Sequence, residues 1–118
     1  MNETGNLISN LPAPTPEESF QLLLKGSKFR MERIVSHGHA SPEGFWYQQV
    51  EAEWVVVIQG HARLRLGDGS THDMVPGSYL LIPAGLHHRV DWTDPDQPTV
   101  WLAIHFQEPP QGEESSRP

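Results

Sequence analysis

Turn residues cut this chain at short and regular intervals, and that punctuation limits the fold more than any other feature. Gly67-Asp68-Gly69-Ser70, Val75-Pro76-Gly77, Pro83-Ala84-Gly85 and Thr93-Asp94-Pro95-Asp96 each interrupt an apolar segment. Glycine supplies the positive φ that tight hairpins need, and proline cannot donate to the ladder inside a sheet. Ten Gly and 11 Pro among 118 residues therefore favour many short strands over long helices. A chain of this length holds one small domain and buries roughly two thirds of its unfolded surface, enough for a core without disulfides.

The segments between the turns read in order. Residues 1–14 are polar and proline-containing, with no period that could bury a face, and are expected to form a flexible arm. Thr15-Pro16-Glu17-Glu18 has a capping residue, Pro at the first helical position and Glu at the third, ahead of Phe20, Leu23 and Leu24. That pattern predicts a short N-terminal helix ending near Gly26. Lys28 to Val35 alternates, with Phe29, Met31 and Val35 on one side and Arg30 and Glu32 on the other, as a half-buried strand does. His37 to Gly44 is a polar loop, and Phe45-Trp46-Tyr47-Gln48-Gln49 reads as a second strand. Further strands follow over 53–59, 62–66, 78–82, 88–92 and 100–106, with hairpin turns between them. The fold class is all-β, an antiparallel barrel or sandwich over residues 15–108. The last stretch, 109–118, is Pro, Gly, Glu and Ser and is expected to be a disordered tail.

Charge and composition narrow the function. Eight Lys and Arg against 15 Asp and Glu leave a net charge of −7, so the counterion-releasing surface of a nucleic-acid binder is not expected. No fully apolar run exceeds five residues, Trp54 to Ile58 being one such run, which is far short of a membrane span. The first ten residues lack the basic start and apolar stretch of a secretory signal, and a cytoplasmic location is expected. With no cysteine, thiolate metal sites and thiol nucleophiles are excluded, and any metal centre must use imidazole and carboxylate.

Seven histidines make such a centre worth testing, and His37, His39, Glu53, His87, His88 and His105 fall near strand ends. His61 and His72 sit in or beside turns and read as solvated. His37 and His39 point to one face if the chain there is extended. Glu53 opens a strongly apolar strand, and a carboxylate facing a barrel interior needs a cation or hydrogen bonds. His105 shares a face with Trp101 and Ala103; it lines the barrel or is a core histidine bonded to backbone.

Gly77, Pro83, Gly85 and His88 match the second motif of the cupin superfamily, roughly G-x5-P-x-G-x2-H-x3-N, with Trp92 in the last place. The chain thus resembles the cupins, and the resemblance spans residues 28–107. Glu53 and Gly60 fit the second half of the first cupin motif, but its histidines are displaced: His37 and His39 lie well ahead of Glu53. Counted back from Glu53, their places fall at Trp46 and Gln48, or at Tyr47 and Gln49. The resemblance implies a double-stranded β-helix (jelly roll), a divalent metal ion such as Fe, Mn, Zn or Ni, and a small-molecule pocket.

Two site models compete. In one, His37, His39, Glu53 and His88 hold the ion, with Tyr47, Gln48 and His105 touching substrate. In the other, Gln48, Glu53, His88 and His105 line a polar pocket that binds metal weakly or not at all. The leading functional reading is a metal-dependent oxidoreductase, isomerase or lyase acting on a small polar molecule. The alternatives are a non-catalytic ligand-binding or sensory module, and a purely structural role in assembly. Open sheet edges in so small a barrel favour a homodimer.

Overall fold

The computed structural model describes residues 4–107, so the tail expected over 109–118 and the first three residues of the arm lie outside it. Eight strands follow one another: β1 (Ser19–Lys25), β2 (Phe29–Ser36), β3 (Ala52–Gln59), β4 (Ala62–Leu66), β5 (Thr71–Met74), β6 (Tyr79–Ile82), β7 (His88–Thr93) and β8 (Thr99–Phe106). They form a five-stranded sheet in the order β1-β2-β8-β3-β6 and a three-stranded sheet in the order β5-β4-β7. Every pairing between strands is antiparallel. The two sheets enclose Val55, Val57, Leu64, Leu66, Met74 and Trp101. Each such side chain contributes about 1.5–3 kcal/mol by leaving water. Among the described residues no helix is long and apolar enough to cross a membrane.

The short N-terminal helix does not form. Ser19–Lys25 is instead an edge strand paired to β2 from Ser19↔Val35 to Lys25↔Arg30, with a bulge between Leu22 and Leu24. The capping pattern is a local preference, and backbone hydrogen bonding to β2 overrides it. The expected strand over 45–49 is also absent as an element; a single bridge ties Tyr47 to His88.

Register fixes which face is which. Glu53 pairs with His105 and Ile82, and His105 pairs with Arg30, so these side chains point into the barrel together with Glu32 and Trp101. The polar side of β2 is therefore its inner side. Its apolar side, with Met31, joins Trp54, Val56, Leu81, Leu102 and Ile104 on the outer face of the five-stranded sheet.

The turn after β3 depends on Gly60. Its φ is +96°, and a Cβ there would stand 2.5 Å from Thr99 Oγ1 and 2.6 Å from Thr99 Cα. Gly60→Ala is expected to cost about 2 kcal/mol or more and to lower the Tm by roughly 10 °C in calorimetry.

Candidate functional site

The barrel contains a cavity of about 240 Å³ lined by residues from both sheets. The five-stranded sheet supplies Phe20, Arg30, Glu32, Glu53, Trp101 and His105, and Glu18 enters just ahead of β1. From the three-stranded sheet come Leu64, His88 and Val90. The loop before β3 adds Tyr47 and Gln49.

Glu53 lies at the centre of the polar groups. Its Oε1 is 3.5 Å from His88 Nε2 and 3.9 Å from His105 Nδ1. Burial, reinforced by the charge of Glu32, pushes the Glu53 carboxyl up to about 7, because an ionised group loses its hydration there. Burial pushes the His88 imidazole down to about 4, so near neutrality it is uncharged. Contact between the two is thus made by a neutral imidazole and a carboxyl poised to exchange a proton. Tyr47 stacks on His88 with ring centroids 5.4 Å apart. Its hydroxyl is raised to about 12, by burial first and then by the negative charge of Glu18.

The wall beside Tyr47 is ordered by a short relay. Trp101 Nε1 donates to Ser36 Oγ at 3.1 Å, and Ser36 Oγ donates to Glu18 Oε2. On the opposite side His105 Nε2 is 3.0 Å from Glu32 Oε1, out of line for a hydrogen bond, and its Nδ1 is buried without a hydrogen-bond partner. Burial lowers the His105 pKa. Arg30 turns to Glu51, which its Nη1 meets at 2.6 Å.

The residues singled out in the sequence separate into two groups. Glu53, His88, Tyr47 and His105 converge on the cavity. His37 and His39 do not line it: His37 Nε2 meets the Pro12 carbonyl at 3.1 Å and His39 Nε2 the Thr15 carbonyl at 2.7 Å. Together with Arg33, whose Nη1 donates to the Ser9 carbonyl at 2.9 Å, they fasten the N-terminal segment to the barrel. The separation has a local cause. The loop from His37 runs along β7, held by Ser41 N to Val90 O and by Arg89 to three loop carbonyls, and it reaches the cavity first at Tyr47 and again at Gln49. Gln48 is exposed, and its Nε2 donates to the Gly85 carbonyl; the neighbouring Gln49 lines the cavity instead. Counting back from Glu53 thus lands on Tyr47 and Gln49.

Glu18, Arg30 and Glu32 were missed in the sequence. Glu32 and Arg30 alternate with apolar residues, and alternation alone cannot say which face is inward when the interior is polar.

A metal ion can be tested against these donors. Among the described residues no group of three or more His, Asp or Glu stands close enough to hold one. The positions ahead of Glu53 carry a phenol and an amide, which are weak donors for the divalent ions expected. These residues do not fit a three-histidine, one-glutamate centre.

Comparison with known proteins agrees with the fold. The family model described as a cupin domain matches residues 30–105, well over half of the chain. The structure resembles that of a candidate mannose-6-phosphate isomerase from Ralstonia eutropha JMP134. That protein is 45% identical with a TM-score of 0.86, over 91% of this chain and 100% of the other. A protein from Thermus thermophilus has a TM-score of 0.75 at 15% identity, over 92% and 100% of the two chains. A cupin superfamily protein from Desulfitobacterium hafniense DCB-2 has 0.72 at 16% identity, over 92% and 94%. The last two likenesses concern the fold alone. No curated protein matches. With its motif residues at the turns and on the inner wall, and with the family model covering most of the barrel, this chain belongs to the cupin domain family.

Proposed function

We propose that the barrel binds a small hydroxy-carbonyl compound and isomerises it by proton transfer, with Glu53 as the base. The observation that carries this reading is one buried carboxyl, at the head of the cavity, in contact with a neutral imidazole. The reaction closes on itself without a co-reactant. Glu53 takes the proton from the carbon beside the carbonyl, and the freed electron pair moves to the carbonyl oxygen. His88 passes the proton of the neighbouring hydroxyl to that oxygen, giving the isomeric enediolate. Glu53 then returns its proton to the former carbonyl carbon, and the other oxygen becomes the new carbonyl. A base titrating near neutrality beside an uncharged imidazole suits both halves of this exchange. The isomerase name carried by the 45%-identical relative supports the same reaction class.

The divalent metal implied by the resemblance has no role in this reading. Incubation with mannose, mannosamine and mannose 6-phosphate in deuterium oxide tests it, since the first step exchanges the C2 hydrogen, visible by proton NMR; mannosamine, with an amine in place of the C2 hydroxyl, reports that step alone. Exchange by metal-free protein supports it. An intact C2 hydrogen with all three sugars, or activity that follows a stoichiometric ion, overturns it. Binding without exchange is the outcome for a ligand-binding module.

The outer face of the five-stranded sheet supports the homodimer. Outside the footprint of the N-terminal segment it carries apolar side chains, with Tyr79 68% and Leu81 50% exposed. Its strands of 7, 8, 8, 4 and 8 residues make a face of roughly 550 Å² including the part under the N-terminal segment, at the small end beside the about 800 Å² per partner of a stable complex. An apolar face of this kind can meet the same face of a second copy about a two-fold axis. Leu81→Glu is expected to convert a dimer into a folded monomer in sedimentation experiments. A wild-type monomer at micromolar concentration would remove the proposal.

A further inference from the structure

We infer that the ligand of this cavity carries a positive charge, as a protonated amine does, and that a phosphorylated sugar is excluded. The inference rests on the cavity being the reacting site proposed above, but it concerns which molecule enters rather than what happens to it.

The charge balance of the wall is one-sided. Glu18, Glu32 and Glu53 line the cavity, and the sole cation among its lining residues is Arg30. Its charge is shared with a carboxylate that does not line the cavity, Arg30 Nη1 standing 2.6 Å from Glu51 Oε1. A phosphate ester entering here would meet three glutamates against one guanidinium that already neighbours Glu51, and in a partly desolvated site like charges repel strongly. An ammonium group meets the reverse situation.

The acids are also built into place. Glu18 is fixed by a hydrogen bond from Ser36, which is backed in turn by the Trp101 indole, so its carboxylate is held at the wall. Glu32 faces the His105 ring at 3.0 Å. His105 is only 3% exposed, yet its Nδ1 has no hydrogen-bond partner and the residue lines the cavity. A buried imidazole nitrogen without a partner is costly, and a ligand hydroxyl or amine arriving there would satisfy it. Phe20, Tyr47 and Trp101 supply aromatic surface among the same lining residues. Carboxylates interleaved with ring faces are the surroundings in which an organic cation is held by Coulomb attraction and ring quadrupoles together.

Mannosamine, mannose and mannose 6-phosphate share a skeleton and differ in charge, so calorimetric titration of the wild-type protein with each at neutral pH tests the inference. Mannosamine is expected to bind about tenfold or more tightly than mannose, and mannose 6-phosphate more weakly than either. Glu18→Gln and Glu32→Gln should each bring the mannosamine-to-mannose ratio toward one. Equal or tighter binding of mannose 6-phosphate, or no binding of mannosamine, overturns the inference. The two proposals fail separately: exchange at C2 without a preference for the amine removes this one, and preference for the amine without exchange removes the reaction.

Discussion

Replacing Glu53 by glutamine is expected to slow C2 hydrogen exchange by about a thousandfold while the sugar still binds, since removal of a positioned general base costs about 10²–10⁴-fold. Glutamine keeps the shape and hydrogen-bonding reach of the side chain but cannot accept the proton. The wild-type rate should rise with pH and level off above about 7, where the Glu53 carboxyl becomes ionised. His88 adds no second inflection in that range, because it stays neutral down to about 4. A Glu53→Gln variant that exchanges at the wild-type rate would show that another group takes the proton.

Stability should respond to pH in opposite directions when either member of this pair is removed. The Glu53 carboxyl titrates at an ordinary value of 4.5 in the unfolded chain and about 7 in the fold. Below pH 4.5 it is protonated in both states and costs nothing. As pH rises to 7 the unfolded chain ionises freely and the fold does not, so stability is lost, by about 3 kcal/mol across the window. His88 runs the other way, from an ordinary value of 6.5 to about 4 in the fold. Its contribution is complete above pH 6.5 and is lost on acidification toward 4, again by about 3 kcal/mol. Between pH 4.5 and 6.5 the two slopes oppose each other, and their joint contribution in the wild type is nearly flat. Relative to wild type, Glu53→Gln should gain stability with rising pH by up to about 1.4 kcal/mol per pH unit, and His88→Gln should lose it. Urea titrations at several pH values give both curves; slopes of the same sign would contradict the assignment of these protonation states.

Much of the barrel was legible because its signals are local. Gly77, Pro83 and Gly85 punctuate the chain where the structure turns, and β3, β4, β7 and β8 lie where alternation and β-branched residues put them. Failures occurred where the deciding partner is distant in sequence. Thr15 to Gly26 carries the signature of a helix start, but β2 offers Phe20 and Leu22 a ladder that the local pattern cannot reveal. On β2 the apolar side is easily taken for the buried one. A polar cavity reverses that rule, turning Arg30 and Glu32 inward and leaving Met31 outside.

The candidate site was half legible for the same reason. Glu53 and His88 could be found because a carboxylate heading an apolar strand and a histidine after a Pro-x-Gly corner are unusual in themselves. His37 and His39 were attractive only by spacing, and their rings serve the chain's own carbonyls instead.

That fastening reaches further than the segment it holds. Residues 7–15 are clasped at several carbonyls, and the chain then runs directly into Glu18, which is part of the cavity wall. A bulky affinity tag fused ahead of this stretch would therefore load the front wall of the pocket through a few residues of backbone. Assays on tagged protein would then report a perturbed enclosure, and cleaving the tag before any titration becomes a chemical requirement rather than a convenience.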